Sequence, residues 1–167
     1  PIHPIHYDLA EFAGWKFVAF TVWIPVAAVL VLVFEPTLDF GALDVAVFGV
    51  ALWGAFVLRA LCLWTLGLVS FWTTRTAPIF ELYILLELLL SGRLVPLQVM
   101  PGWAEGIADS LWFKYTFGFP IEALVGDLSK ADLLGGLALQ LVWIGVAWAA
   151  MSLFWRRAVR QYTAVGN

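Results

Sequence analysis

An all-α, polytopic bundle of membrane-spanning helices is the fold class this sequence predicts, and three observations predict it. Of the 167 residues, 63% are hydrophobic and only 13% are charged, whereas soluble domains carry about 25% charged residues. Mean hydropathy is +0.93. A domain of about 150 residues still exposes nearly a third of the surface of its unfolded chain, so this much apolar side chain cannot be hidden from water by folding alone. The apolar residues also come in runs rather than in alternation, and a run of about 20 is what a helix needs to cross the hydrocarbon core. It must be a helix because unpaired backbone groups are too costly in lipid.

Four stretches meet that length. The first covers 17–34 and is ended by Glu35-Pro36, since a residue preceding proline is pushed out of helical geometry. The second covers 43–70, longer than one crossing requires, and is expected to tilt or to project beyond the bilayer. The third covers 78–100, with Pro78 suited to a first helical turn and Pro96 expected to bend the far end. The fourth covers 133–155, preceded by Ser129 and Asp132 in capping-box spacing.

Basic residues orient these spans. Lys16, Arg75, Arg156, Arg157 and Arg160 fall on the side of the termini, and the loop 35–44 contains no Lys or Arg. The positive-inside rule then places both termini in the cytoplasm, with 1–16 as a cytoplasmic segment and 156–167 as a cytoplasmic tail. Lys114 and Lys130 oppose that assignment but lie in the long segment between the third and fourth spans. Trp15, Trp72 and Trp155 fit a cytoplasmic aromatic belt, and Trp103 and Trp112 an outer one, with lipid anchoring as their expected role.

The segment 101–131 is neither a span nor a simple loop. Pro101, Trp103, Trp112, Phe113, Tyr115 and Phe119 are interleaved with Glu105, Asp109, Lys114 and Glu122. This pattern predicts short amphipathic helices, broken at Gly118 and Pro120. Such pieces lie at the interface or dip back into the membrane against protein.

Two ionisable residues stand inside apolar runs. Arg59 in the second span and Glu87 in the third each cost at least about 2.5 kcal/mol on insertion scales unless paired or wetted. Counted from the turn near Arg75 at about 1.5 Å per residue, Arg59 lies roughly 24 Å up one helix and Glu87 roughly 14 Å up the next. Two roles are open: an Arg59–Glu87 pair that ties the helices together, or Arg59 facing a water-filled cavity that substrate crosses. Near the start, Leu9, Phe12 and Trp15 recur at helical spacing opposite Asp8 and Glu11, which predicts an amphipathic helix at the membrane surface, as packing or as a partner contact. His3 and His6 are three apart, but Pro4 between them and the lack of a third ligand favour an interfacial turn over a metal pair.

Other chemistries are missing. The net charge of -3 gives no basic footprint for nucleic acid. Cys62 is the only cysteine, so no intrachain disulfide or thiolate cluster can form. There is no G-x-x-x-x-G-K-[ST] loop for ATP, no H-E-x-x-H and no G-x-S-x-G, so a membrane-embedded enzyme is disfavoured and no cofactor is expected in this chain. Pro1 in place of an initiating Met, with no signal peptide following, is expected to mark a fragment of a longer protein.

Several short motifs then fall in one order along the chain. Phe71-Trp72-Thr73 closes the second span, and Leu90-Ser91-Gly92-Arg93-Leu94-Val95-Pro96-Leu97, Met100-Pro101-Gly102-Trp103, Trp112-Phe113-Lys114-Tyr115 and Phe119-Pro120-Ile121-Glu122 follow. The chain closes with Trp155-Arg156-Arg157-Ala158-Val159-Arg160-Gln161-Tyr162-Thr163-Ala164-Val165-Gly166-Asn167. In their order, spacing and place relative to the spans, these motifs resemble the bacterial type-2 permeases of ATP-binding-cassette transporters, the ABC-2 family transporter proteins. Members usually have six spans, so the resemblance implies that the four here are the third to the sixth, and Asn167 stands where many relatives end in a second glycine.

The resemblance further implies an exporter permease of the bacterial inner membrane that pairs with a second permease copy, as homo- or heterodimer, and with separate ATPase subunits that bind ATP and Mg. On that reading Asp8, Glu11, Phe12 and Trp15 form the first candidate for an ATPase coupling surface and the turn at Arg75 the second, while 101–131 is an outer re-entrant segment. The alternative is an ion-coupled secondary transporter or channel using Arg59 and Glu87. Against it stands the lack of paired broken helices in corresponding halves of the sequence.

Overall fold

The computed structural model describes residues 4–35, 41–126 and 128–161. Every regular element among them is helical: α1 Pro4–Phe34, α2 Ala42–Leu68, α3 Ala77–Leu90, α4 Gly102–Ser110, α5 Gly118–Val125 and α6 Lys130–Gln161. Three of these contain a helical stretch long and apolar enough to cross a membrane: Phe17–Phe34 within α1, Ala42–Phe71, and Lys130–Arg160. The fold is an all-α helical membrane bundle.

The chain divides into two compact units, Pro1–Asp39 and Phe40–Asn167. The first is a single helix of 31 residues that carries the amphipathic stretch and the first apolar run without a break. Pro25 lies inside it and removes one backbone donor. The helix closes at Glu35, whose φ of 41° lies in the left-handed region and whose N–H still donates to Val31 O at 3.0 Å.

In the second unit, α2 starts where the Asp44 carboxylate accepts the Gly41 N–H at 2.7 Å, and a 3-10 turn at Val69–Phe71 extends it. Its buried face, Val47, Ala51, Ala55, Leu58 and Leu61, follows a spacing of three or four, and α6 packs along it. Gln140 of α6 reaches Ala51 of α2, and Phe154 of α6 meets Trp72 just after α2, so the two helices run parallel. Ser129 caps α6, its hydroxyl oxygen accepting the Asp132 N–H at 3.2 Å while its O–H donates to the Asp132 carboxylate at 2.7 Å.

The third apolar stretch differs from the expectation. A helix over 78–100 bent at Pro96 is replaced by α3, whose 14 residues end at Leu90, and at about 1.5 Å per residue this rises roughly 21 Å. The stop comes at Gly92, whose φ of 79° takes the chain out of the helix ahead of the next short turn at Leu97–Val99. Pro96 leads into that turn rather than kinking a helix.

The segment that follows also differs in detail. The break between its helices lies at Leu111–Phe117, with a 3-10 turn at Lys114–Thr116, and Gly118 and Pro120 sit in the first turn of α5 instead of interrupting one. A proline in that turn lacks an N–H that would have had no helical partner. Phe113, Tyr115, Phe119 and Ala123 are buried, and Tyr115, Phe119 and Ala123 join Val47, Ala51, Leu58 and Leu133 in one core.

Candidate functional site

The two intramembrane charges meet. An Arg59 Nη2 to Glu87 Oε2 distance of 3.0 Å links α2 to α3. The axial offset between them is bridged by the length of the arginine, which carries its charge about four bonds past Cβ. Burial is unequal: the Arg59 side chain is 43% exposed and that of Glu87 only 7%. Tyr83 and Glu87 on α3 and Ser91 at its C-cap follow one another every four residues and all are buried, so α3 presents a polar strip inward and leucines outward. Arg59 Nε and Ser91 Oγ are buried without a hydrogen-bond partner among the described residues.

The segment after α3 is held against this strip at several points. The Tyr83 ring lies 5.7 Å from that of Phe113, and Trp112 lies 4.8 Å from Phe113 and 5.6 Å from Trp143 of α6. Trp112 is therefore packed between elements, and the interfacial anchoring expected for it does not hold. Trp103, by contrast, is 74% exposed. At Gly118 the backbone comes so close to α3's end that a Cβ would stand 2.7 Å from Ser91 O. Pro101 caps the N-terminus of α4, and Pro120 is buried.

Polar contacts fix the same segment. Lys114 Nζ donates to Asp109 Oδ1 at 2.7 Å and lies 3.5 Å from Glu122 Oε2, joining α4 to α5. Partial burial alone would pull the Lys114 pKa down, but the bond to Asp109 and the negative charges of Glu122 and Asp109 outweigh it and hold the amine above its usual range.

Gln140 is the residue that the sequence reading did not single out. It is buried in the middle of α6, and its Nε2 donates to Ala51 O at 2.9 Å and to Tyr115 O at 3.0 Å. One side chain thus ties together α2, α6 and the turn between α4 and α5. Gly54 makes room for it, since a Cβ there would collide with the Gln140 amide. The signal was present as a lone uncharged amide within an apolar run, a residue type that must find partners when buried.

Of the residues expected at a coupling surface, Arg75 is exposed in the turn between α2 and α3, where its N–H donates to Thr73 Oγ1 at 3.1 Å. Asp8, Glu11, Phe12 and Trp15 lie along α1, but their side chains are outside the described ones, as are His3 and His6. No group of three or more His, Cys, Asp or Glu among the described residues could hold a metal ion.

What the arrangement offers chemically is a charge pair in an apolar setting and a polar strip along α3. The ABC-2 family transporter protein family matches this chain over residues 3–166. No curated protein and no solved structure matches it. The protein belongs to the ABC-2 family transporter proteins, as a permease-type membrane component of an ATP-binding-cassette transporter.

Proposed function

We propose that this chain forms the translocation path of an exporter in the bacterial inner membrane, driven by separate ATPase subunits that bind ATP and Mg. The family match across nearly the whole chain is the observation that carries this reading. The direction and the partners come from the family's usual organisation: a second permease copy across the path and ATPases on the cytoplasmic side. The basic residues Arg75, Arg156, Arg157 and Arg160 favour that side for both termini. Arg75 and the amphipathic stretch with Asp8, Glu11, Phe12 and Trp15 are then the surfaces that receive the ATPase movement, and 101–131 lies on the outer side.

The competing reading is an ion-coupled carrier or channel in which Arg59 and Glu87 handle ions. Their mutual pairing favours a structural tie over a site left open for an ion. The permease, purified with a partner ATP-binding-cassette ATPase and placed in vesicles, should move cargo only with hydrolysable ATP. Transport that follows an imposed ion gradient without ATP would overturn the proposal.

A further inference from the structure

The end of the bundle that carries the arginines holds a cleft of about 380 Å³ lined by Trp72, Phe154, Arg157 and Arg160. Trp72 and Phe154 meet edge to face at 6.0 Å and form its apolar wall. Among the described residues, neither Arg157 nor Arg160 takes part in an ion pair. Two guanidinium forks beside an aromatic wall suit a phosphate, which they grip in bidentate fashion.

A separate apolar cavity lies on the same face of α6. Trp143, Ala147, Ala150, Phe154 and Arg157 follow one another on α6 at steps of four, three, four and three, so they share one face. The first three line a second cavity of about 200 Å³, closed on the α2 side by Leu58 and Cys62 and with Tyr83 of α3 in its wall. From Arg157 to Trp143 the rise is roughly 21 Å at about 1.5 Å per residue. One leaflet of a bilayer, headgroup included, is about 20 Å deep. Arg156, one residue away, faces a different cavity together with Trp148 and Trp155.

We propose that this face is a binding site for an anionic phospholipid, with the phosphate held by Arg157 and Arg160 against Trp72 and Phe154 and an acyl chain lying along Ala150 and Ala147 toward Trp143. A basic pocket between transmembrane helices is the kind of site that selects an anionic headgroup. An apolar cavity on the same helix face, within one leaflet's depth of the arginines, favours a lipid over an acidic protein surface, which would have no use for it. The site rests on the chain being embedded in a membrane and is independent of what the permease carries.

The test is native mass spectrometry of the full chain in detergent, titrated with phosphatidylglycerol and phosphatidylcholine of identical acyl chains. The expected result is a preference of about tenfold or more for phosphatidylglycerol. Arg157→Gln with Arg160→Gln should abolish that preference, Arg157→Lys with Arg160→Lys should keep part of it, and Arg156→Gln should leave it intact. Equal retention of the two lipids by the unaltered protein overturns the proposal without need of any variant. Displacement of the lipid by millimolar inorganic phosphate would assign the cleft to a free anion instead. An unchanged lipid preference in the double Gln variant, with loss of a co-purifying ATPase, would make it a protein contact.

Discussion

Arg59 Nη2 stands 3.0 Å from Glu87 Oε2, and the two ends of this bond differ sixfold in exposure. The asymmetry decides which half of the pair is harder to lose. Truncating Arg59 leaves the buried Glu87 carboxylate without its countercharge, whereas neutralising Glu87 leaves the more exposed guanidinium on a long side chain that can turn toward the membrane interface. Removing one partner of a fully buried pair costs roughly 3–5 kcal/mol, and the exposure of Arg59 reduces that here. Arg59→Gln should therefore destabilise the protein by about 2–3 kcal/mol and Glu87→Gln by about 1 kcal/mol. Thermal unfolding in detergent would measure both, and the double variant should recover part of the Arg59→Gln loss. Equal losses would mean that Glu87 is better solvated than its burial indicates.

Gln140 and Gly54 form a second testable unit. Gln140→Leu keeps the volume but leaves the Tyr115 carbonyl without this donor, a cost of about 1–3 kcal/mol. Gly54→Ala should cost a similar amount by overpacking, about 1–3 kcal/mol. Because the alanine methyl would meet the Gln140 amide itself, the effects should not add. The pair Gly54→Ala with Gln140→Ala should lie above the sum of the singles by at least about 0.5 kcal/mol, as contacting residues do. Strict additivity in thermal melts would count against the contact.

At Gly118, a Cβ would press on the backbone oxygen of Ser91, which cannot rotate away as a flexible side chain would. Gly118→Ala should therefore separate the start of α5 from the end of α3 and cost about 1–3 kcal/mol. Protease accessibility of the segment 91–118 should rise in this variant. Gly102→Ala, which meets open space, is the matched control and should leave accessibility unchanged.

Lys114 makes a prediction about pH. Its pKa in the folded protein lies above the ordinary value of about 10.4. Its contribution to stability is therefore complete below that ordinary value and is lost as pH rises through the raised one. Melting temperature measured from pH 7 upward should fall on the alkaline side, and Lys114→Met should flatten that limb while lowering the neutral-pH plateau. An identical alkaline profile in the variant would show that Asp109 and Glu122 do not hold the amine.

The parts that could be read in the sequence are those governed by local composition. Helical membrane segments followed from the length of apolar runs, and the family from the order of motifs between Phe71 and Asn167. The termination of α3 was harder to read. Leu85 to Leu90 and Leu94 to Met100 look equally apolar in sequence, and hydropathy cannot register that Gly92 takes a φ of 79°. Trp112 was misplaced for a related reason, since an aromatic beside charged residues has the composition of an interfacial anchor whether it faces lipid or Trp143.

The amino-acid order by itself determined that this chain is helical and lies in a membrane, because the cost of leaving apolar side chains in water and backbone groups unpaired in lipid depends on residue type and run length alone. It also marked Arg59 and Glu87 as residues that must be either paired or wetted. Only the tertiary structure decided that they pair with each other, that Gln140 ties three elements together, and that the segment after α3 packs inward. Such choices depend on which faces of separate helices meet, and that is fixed by close packing at positions such as Gly54 and Gly118, where the absence of a single carbon lets two backbones or an amide approach.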